Sequence, residues 1–154
     1  MAEYRIVDGL KLRQKVRAVI INDDGDILLV RPHGYASNEW TLAGGGVERG
    51  ETVHQAMRRE IAEELGVTLE AELDQLPVSN RYIYSPEYKA KRSLDHDGQD
   101  ASMFVVHLPR DAMLELQAEE IAEARWFSPD HAALAFPVQK QRDVFEACLA
   151  AIAA

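Results

Sequence analysis

The sequence predicts one α/β domain in which a mixed β-sheet lies between helices. β-rich runs at 16–22, 27–30, 103–108 and 122–127 alternate with helical periodicity over 52–66 and 138–153. Between the first two runs, Asp23-Asp24-Gly25-Asp26 is a strong hairpin signal, which adds antiparallel pairing to the helix–strand alternation. The 154 residues show no repeat, linker or low-complexity tract, so residues 1–154 read as a single domain with a real core.

Charge and composition narrow the function. A net charge of −9 argues against non-specific binding to DNA or to a membrane surface, which needs a basic face. A polyphosphate remains open to an acidic protein if cations mediate the encounter. The single cysteine, Cys148, excludes an internal disulfide and lies in an apolar helical pattern, as a packed thiol would. No apolar run reaches the length of a signal sequence core or a membrane span, so a cytoplasmic protein is expected.

In chain order, residues 1–14 read as an irregular arm or strand. Arg31, Pro32 and His33 end the second strand, and His33 reads as an ordinary loop side chain. Arg31 has two readings, a bidentate phosphate clamp or a surface salt bridge. Trp40-Thr41-Leu42 reads as a short strand, with Trp40 as packing anchor, delivering Gly44-Gly45-Gly46. Glycine lets backbone approach a ligand closely, which makes the Gly44 carbonyl a candidate metal ligand. Residues 67–72 and 77–84 read as strands. The connection 85–100 is long, and long loops in compact domains are often functional. It gathers Lys89, Lys91 and Arg92 near Tyr82, Tyr84 and Tyr88, so it reads either as a site for a polyphosphate tail or base, or as solvated surface. His96 within it reads as an exposed loop histidine. Residues 111–119 form a loop or turn, Ser128-Pro129-Asp130 starts a helix, and Val144, Cys148 and Ile152 mark the core stripe of the last one.

The most informative stretch is the helix over 52–66. Thr52 and Gln55 form a capping-box pattern, and Gly66 is a natural left-handed stop. Val53, Ala56, Met57, Ile61 and Leu65 share one apolar face. Glu60 stands seven residues after Val53 and Glu64 seven after Met57, so both carboxylates occupy core register, with Glu63 crowding the same flank. Ionised carboxylates there cost several kcal/mol each unless paired. Hard oxygen ligands in such a cluster suit Mg²⁺ or Mn²⁺.

Gly45, five residues, Glu51, seven residues, then Arg59-Glu60-Ile61-Ala62-Glu63-Glu64-Leu65-Gly66-Val67 resembles an unbroken Nudix box. The resemblance implies an α/β/α sandwich and a cytoplasmic, MutT-like, metal-dependent pyrophosphatase acting on a nucleoside diphosphate linked to another group. It also implies Glu60, Glu63 and Glu64 as metal ligands or bases, oriented by an Arg59–Glu51 pair. A weaker resemblance to the bacterial dinucleoside-polyphosphate and RNA 5′-pyrophosphohydrolase branch rests on Tyr84, Pro86, Arg92, Gly98-Gln99, Phe104, Glu120, Arg125-Trp126, Lys140 and Arg142-Asp143-Val144. On that match Glu120 is the acidic residue supplied from outside the box. The expected substrates are dinucleoside polyphosphates or a 5′-triphosphorylated RNA end. ADP-ribose, nucleotide sugars and oxidised or ordinary nucleoside triphosphates are alternatives, as is a non-catalytic nucleotide-sensing module. Either a monomer or a homodimer is compatible with the chain.

Overall fold

The computed structural model describes residues 1–154. Its sheet is organised by one long strand, β2 (Leu10–Ile21), which follows the short β1 (Tyr4–Val7). One edge of β2 pairs in succession with three antiparallel strands. These are β1 against 10–13, β4 (Ala43–Gly46) against 15–18, and β3 (Ile27–Pro32) against 20–21. Its other edge pairs in parallel with β6 (Gly98–His107), which pairs in turn with β5 (Asp74–Ile83); β7 (Ile121–Phe127) closes the far side on β3. The result is a seven-stranded mixed sheet ordered β5-β6-β2-β3-β7, with β1 and β4 attached to β2.

Alternation along β2 divides the core into two layers, because successive side chains point to opposite faces. Val16, Ala18 and Ile20 pack with Ala56, Met57, Ile61 and Leu65 of α1 (Val53–Leu65). Burying each of the larger side chains contributes about 1.5–3 kcal/mol. Val19 faces the opposite layer, with Ala132 and Ala135 of α3 (Pro129–Ala135) and Phe145 and Cys148 of α4 (Gln139–Ala153). Helices thus cover both faces, as the α/β/α expectation requires. A short helix, α2 (Pro86–Lys91), lies between β5 and β6.

The start and stop of α1 follow the sequence signals. The Thr52 hydroxyl accepts from Gln55 N at 3.1 Å, and the Gln55 amide oxygen accepts from Thr52 N at 2.9 Å. Gly66 closes the helix at φ +69°, in the left-handed region where a Cβ would be strained.

Four local expectations are corrected. Residues 67–72 form no strand; the Arg58 guanidinium instead donates to the Leu69 and Ala71 carbonyls at 2.6 and 2.7 Å, replacing a ladder with side-chain bonds. Trp40-Thr41-Leu42 contributes only a single bridge, Thr41 to Val30, and the regular strand is the glycine run itself. The 85–100 connection is mostly structured, because Ser85 caps α2 and β6 already begins at Gly98. His96 is not exposed. It is 9 % accessible, within hydrogen-bond reach of the Tyr84 hydroxyl at 3.2 Å, and its ring lies 5.2 Å from that of Tyr4.

Candidate active site

Helix α1 runs alongside β4, and its packing decides where the acidic side chains go. Glu64 faces the sheet, retains 5 % exposure, and accepts from Gly44 N at 2.8 Å through Oε1. Burial pushes its carboxyl up to about 7, and the nearby charges of Glu60 and Glu120 act in the same direction. Glu60 lies one turn earlier, with its carboxylate under Gly45. A Cβ on Gly45 would come 2.5 Å from that carboxylate, so a side chain there would push Glu60 aside. Burial raises the Glu60 pKa, and the adjacent Arg59 opposes the shift.

Arg59 is the hub of the acidic cluster. Its Nε and Nη2 grip Glu51 bidentately at 2.8 and 2.9 Å, and Nη2 also donates to the Gly46 carbonyl at 2.9 Å. Nη1 reaches Glu60 at 3.0 Å and Glu63 at 3.2 Å. The Arg59–Glu51 pairing anticipated from the family resemblance is therefore present, and it ties the helix to the glycine strand. Glu63 is the outermost of the three box glutamates, with a side chain 48 % exposed. Glu60 and Glu63 share Arg59 Nη1, so their carboxylates gather around that cation, and no three acidic, histidine or cysteine side chains are already arranged as metal ligands.

Glu120 stands just before β7, on the turn whose carbonyl accepts from His33 N, close enough to raise the Glu64 pKa through its charge. Glu123, three residues on, is engaged elsewhere, with Arg125 at 2.6 Å and Arg31 at 3.6 Å. Arg31, the candidate phosphate clamp, thus sits in an ion pair and 5.8 Å from the Trp40 ring.

The basic cluster of the 85–100 segment lies toward the start of β2, away from the box. The register joins Gly98 to Leu12, whereas Gly45 joins Val16, a separation of four residues or about 13 Å along the strand. Lys89 is bound to Asp97 at 2.7 Å, and Arg92 stacks over Tyr88 at 4.9 Å. Lys91 is exposed. Tyr84 is buried, its ring among Tyr82, Tyr88 and His96.

Two cations beside the box were not among the expected site residues. Lys11, Arg13, Lys15 and Arg17 alternate along β2 and share one face. The first two are occupied: Lys11 pairs with Asp95 at 3.6 Å, and Arg13 donates to the Glu3, Gln14 and Val47 carbonyls. Lys15 and Arg17 stand opposite Gly46 and Gly44 in the β4 register. Burial, together with the charges of Arg17 and Arg13, lowers the Lys15 pKa to about 8. The period-two run of four basic residues was legible in the sequence and is a larger grouping than the three cations of the loop.

Comparison with known proteins accords with this architecture. A NUDIX domain family model matches residues 11–148. Nucleoside triphosphatase NudI of Escherichia coli is 32 % identical over 118 residues, covering 72 % of this chain and 79 % of that protein. A Caenorhabditis elegans protein named as a nudix hydrolase is 32 % identical over 112 residues; the match covers 70 % of this chain but 43 % of that longer protein. Among solved structures, the Escherichia coli dihydroneopterin triphosphate pyrophosphohydrolase aligns with a TM-score of 0.74 over 92 % of this chain and 96 % of that one, at 21 % identity, a likeness of fold. The chain belongs to the Nudix family. It is a pyrophosphohydrolase of the class that acts on nucleoside diphosphates linked to another group.

Proposed function

We propose that this enzyme hydrolyses a pyrophosphate bond in a nucleotide carrying three or more phosphates, with a nucleoside triphosphate as the leading substrate. The observation that carries the reading is the position of Lys15 and Arg17 beside the glycine strand and the box carboxylates. A short diphosphate is neutralised by a cation at the box. A longer chain leaves charge beyond it, and two cations one strand register away meet that excess. The 32 % identity to a nucleoside triphosphatase supports the same choice. Dinucleoside polyphosphates and 5′-triphosphorylated RNA share the required chemistry and follow it. ADP-ribose and nucleotide sugars, with two phosphates, come last.

Glu60, Glu63, Glu64, Glu120 and the Gly44 carbonyl are the oxygen donors that would hold Mg²⁺ or Mn²⁺. The donors fit such an ion in chemistry: all are hard oxygens, and burial has raised the pKa of both Glu60 and Glu64, so a counter-charge relieves a real cost. When bound, a divalent cation supplies Lewis acidity at the phosphoryl oxygens and offsets the gathered negative charge. Glu64 has Oε1 fixed by Gly44 N–H, which leaves Oε2 to face the cation or to take a proton from the attacking water. Arg59 positions Glu60 and Glu63, while Lys15 and Arg17 hold the phosphates that do not react. The test is turnover of a nucleotide panel with Mg²⁺ or Mn²⁺, resolving products. Cleavage of nucleoside triphosphates to monophosphate and pyrophosphate is expected. Faster cleavage of ADP-ribose than of every triphosphate would overturn the reading.

A further inference from the structure

The sheet face that carries Lys15 and Arg17 continues onto β6 and β5. Lys15 stands opposite Ala101 and Ala101 opposite Asn80, while Arg13 stands opposite Gln99 and Gln99 opposite Tyr82. Two adjoining spaces open on this face against the start of α4. An inner recess of about 40 Å³ has Arg17 and Leu42 in its wall. An outer cavity of about 310 Å³ has Tyr82, Tyr88 and Lys140 in its wall. Asn80 and Gln141 border both spaces and mark the boundary between them. The recess holds little more than a water, whereas the outer cavity matches the lower end of small-ligand sites.

The two amides share an unusual property. Asn80 Oδ1 and Gln141 Oε1 are both fully buried, and neither has a hydrogen-bond partner. Leaving a buried acceptor unsatisfied is costly, and such groups are rare in native folds. Two of them, from different elements, belong to residues that line the same pair of spaces. Tyr82, 51 % exposed, and Tyr88 give that cavity an aromatic wall. The first turn of α4 also opens there, with no side chain capping it.

We infer that Asn80 and Gln141 form a nucleobase subsite that selects bases carrying an exocyclic amine. This rests on the nucleotide reading above and extends it to the base. Acceptor oxygens call for N–H donors. Guanine offers N1–H and the 2-amine on one edge, and adenine offers both hydrogens of its 6-amine. Tyr82 supplies a face for stacking, which tolerates any base and so leaves discrimination to the amides. Arg17, in the wall of the inner recess, places the phosphate end toward Gly44 and the box.

Binding of nucleoside monophosphates separates this inference from the hydrolysis reading, because it needs no turnover. Two pairs delete one amine cleanly: GMP against IMP, and AMP against purine riboside 5′-monophosphate. Calorimetric or NMR titration is expected to give about five- to tenfold tighter binding for the aminated member, the worth of one buried hydrogen bond. Asn80→Leu and Gln141→Leu are each expected to reduce that ratio while the melting temperature holds or rises, since each removes an unpaired polar group. Asn80→Ala and Gln141→Ala serve if either leucine fails to fold. Equal affinities within both pairs, a preference for the deaminated member, or an unchanged ratio in the variants would overturn the subsite. Discrimination without hydrolysis of any triphosphate would leave the subsite standing and refute the proposed reaction; hydrolysis without discrimination would do the reverse.

Discussion

The first residues of β2 and its middle carry the same residue type and put it to opposite uses. At the Leu10–Leu12 end, cations are consumed by the fold. Lys11 reaches Asp95, Lys89 reaches Asp97, and Asp97 itself accepts from Lys11 N at 2.7 Å. Arg13 is spent on backbone carbonyls. At Lys15 and Arg17, midway along the strand, the acidic groups whose charges are felt are Glu60 and Glu64, whose carboxylates are themselves raised in pKa by burial. Partly buried charge held apart from a tight partner is costly for stability, and active sites are where such an arrangement is useful. Counting positive charges along the chain therefore misleads; what matters is whether each has already been neutralised.

The largest expected effect lies at the box end. Glu64→Gln should reduce turnover under saturating Mg²⁺ to less than a tenth of the wild-type rate. Its melting temperature in chelator should hold or rise, because the amide keeps the bond from Gly44 N without a charge to desolvate. A rate above that tenth would remove Glu64 from the machinery.

Lys15 gives the next effect and a pH signature. Its folded pKa of about 8 lies below the ordinary lysine value, so it is charged below pH 8 and loses its proton as the pH rises through 8. For a nucleoside triphosphate, kcat/KM of the wild type should therefore fall above that pH. Lys15→Met should raise KM by about tenfold at pH 7, the worth of a charge-assisted hydrogen bond. Lys15→Arg should flatten the alkaline fall, because a guanidinium stays charged. An alkaline limb that persists unchanged in the arginine variant would assign the titration to another group.

Glu120 and Glu123 sharpen the contrast between free and committed charge on one short segment. Glu120→Gln should lower kcat by about tenfold or more, whereas Glu123→Gln, which loses only Arg31 and Arg125, should stay within about twofold. Loss of activity in the second alone would move the acidic contribution three residues along the chain.

The smallest effect is expected in the 85–100 segment, beside the first residues of β2. Joint replacement of Lys89, Lys91 and Arg92 by neutral residues should change KM for a nucleoside triphosphate by less than about threefold, since Lys89 and Arg92 are already engaged. A dinucleoside tetraphosphate is the substrate that challenges this. A KM increase above tenfold for it alone would show that a long chain spans the strand, as the loop's composition suggested.

What the sequence by itself determined is concentrated where physics is local. The limits of α1 follow from Thr52, Gln55 and Gly66, and the core register of Glu64 from a 3.6-residue period. Likewise, α3 begins where Ser128 and Pro129 require. Such signals act between residues a few positions apart, so they can be read without knowing the fold. Tertiary structure decided the rest. Residues 67–72 have strand composition, but Arg58 satisfies their carbonyls from a helix eleven and thirteen positions away in the chain. His96 sits in a polar stretch, yet Tyr4 and Tyr84 enclose it from two other strands' ends. Lys15 and Lys89 are alike in sequence. Lys89 meets Asp97 within its own segment, whereas only the pairing of β2 with β4 brings Lys15 beside the box, because electrostatic partnership depends on distance in space and not on separation along the chain.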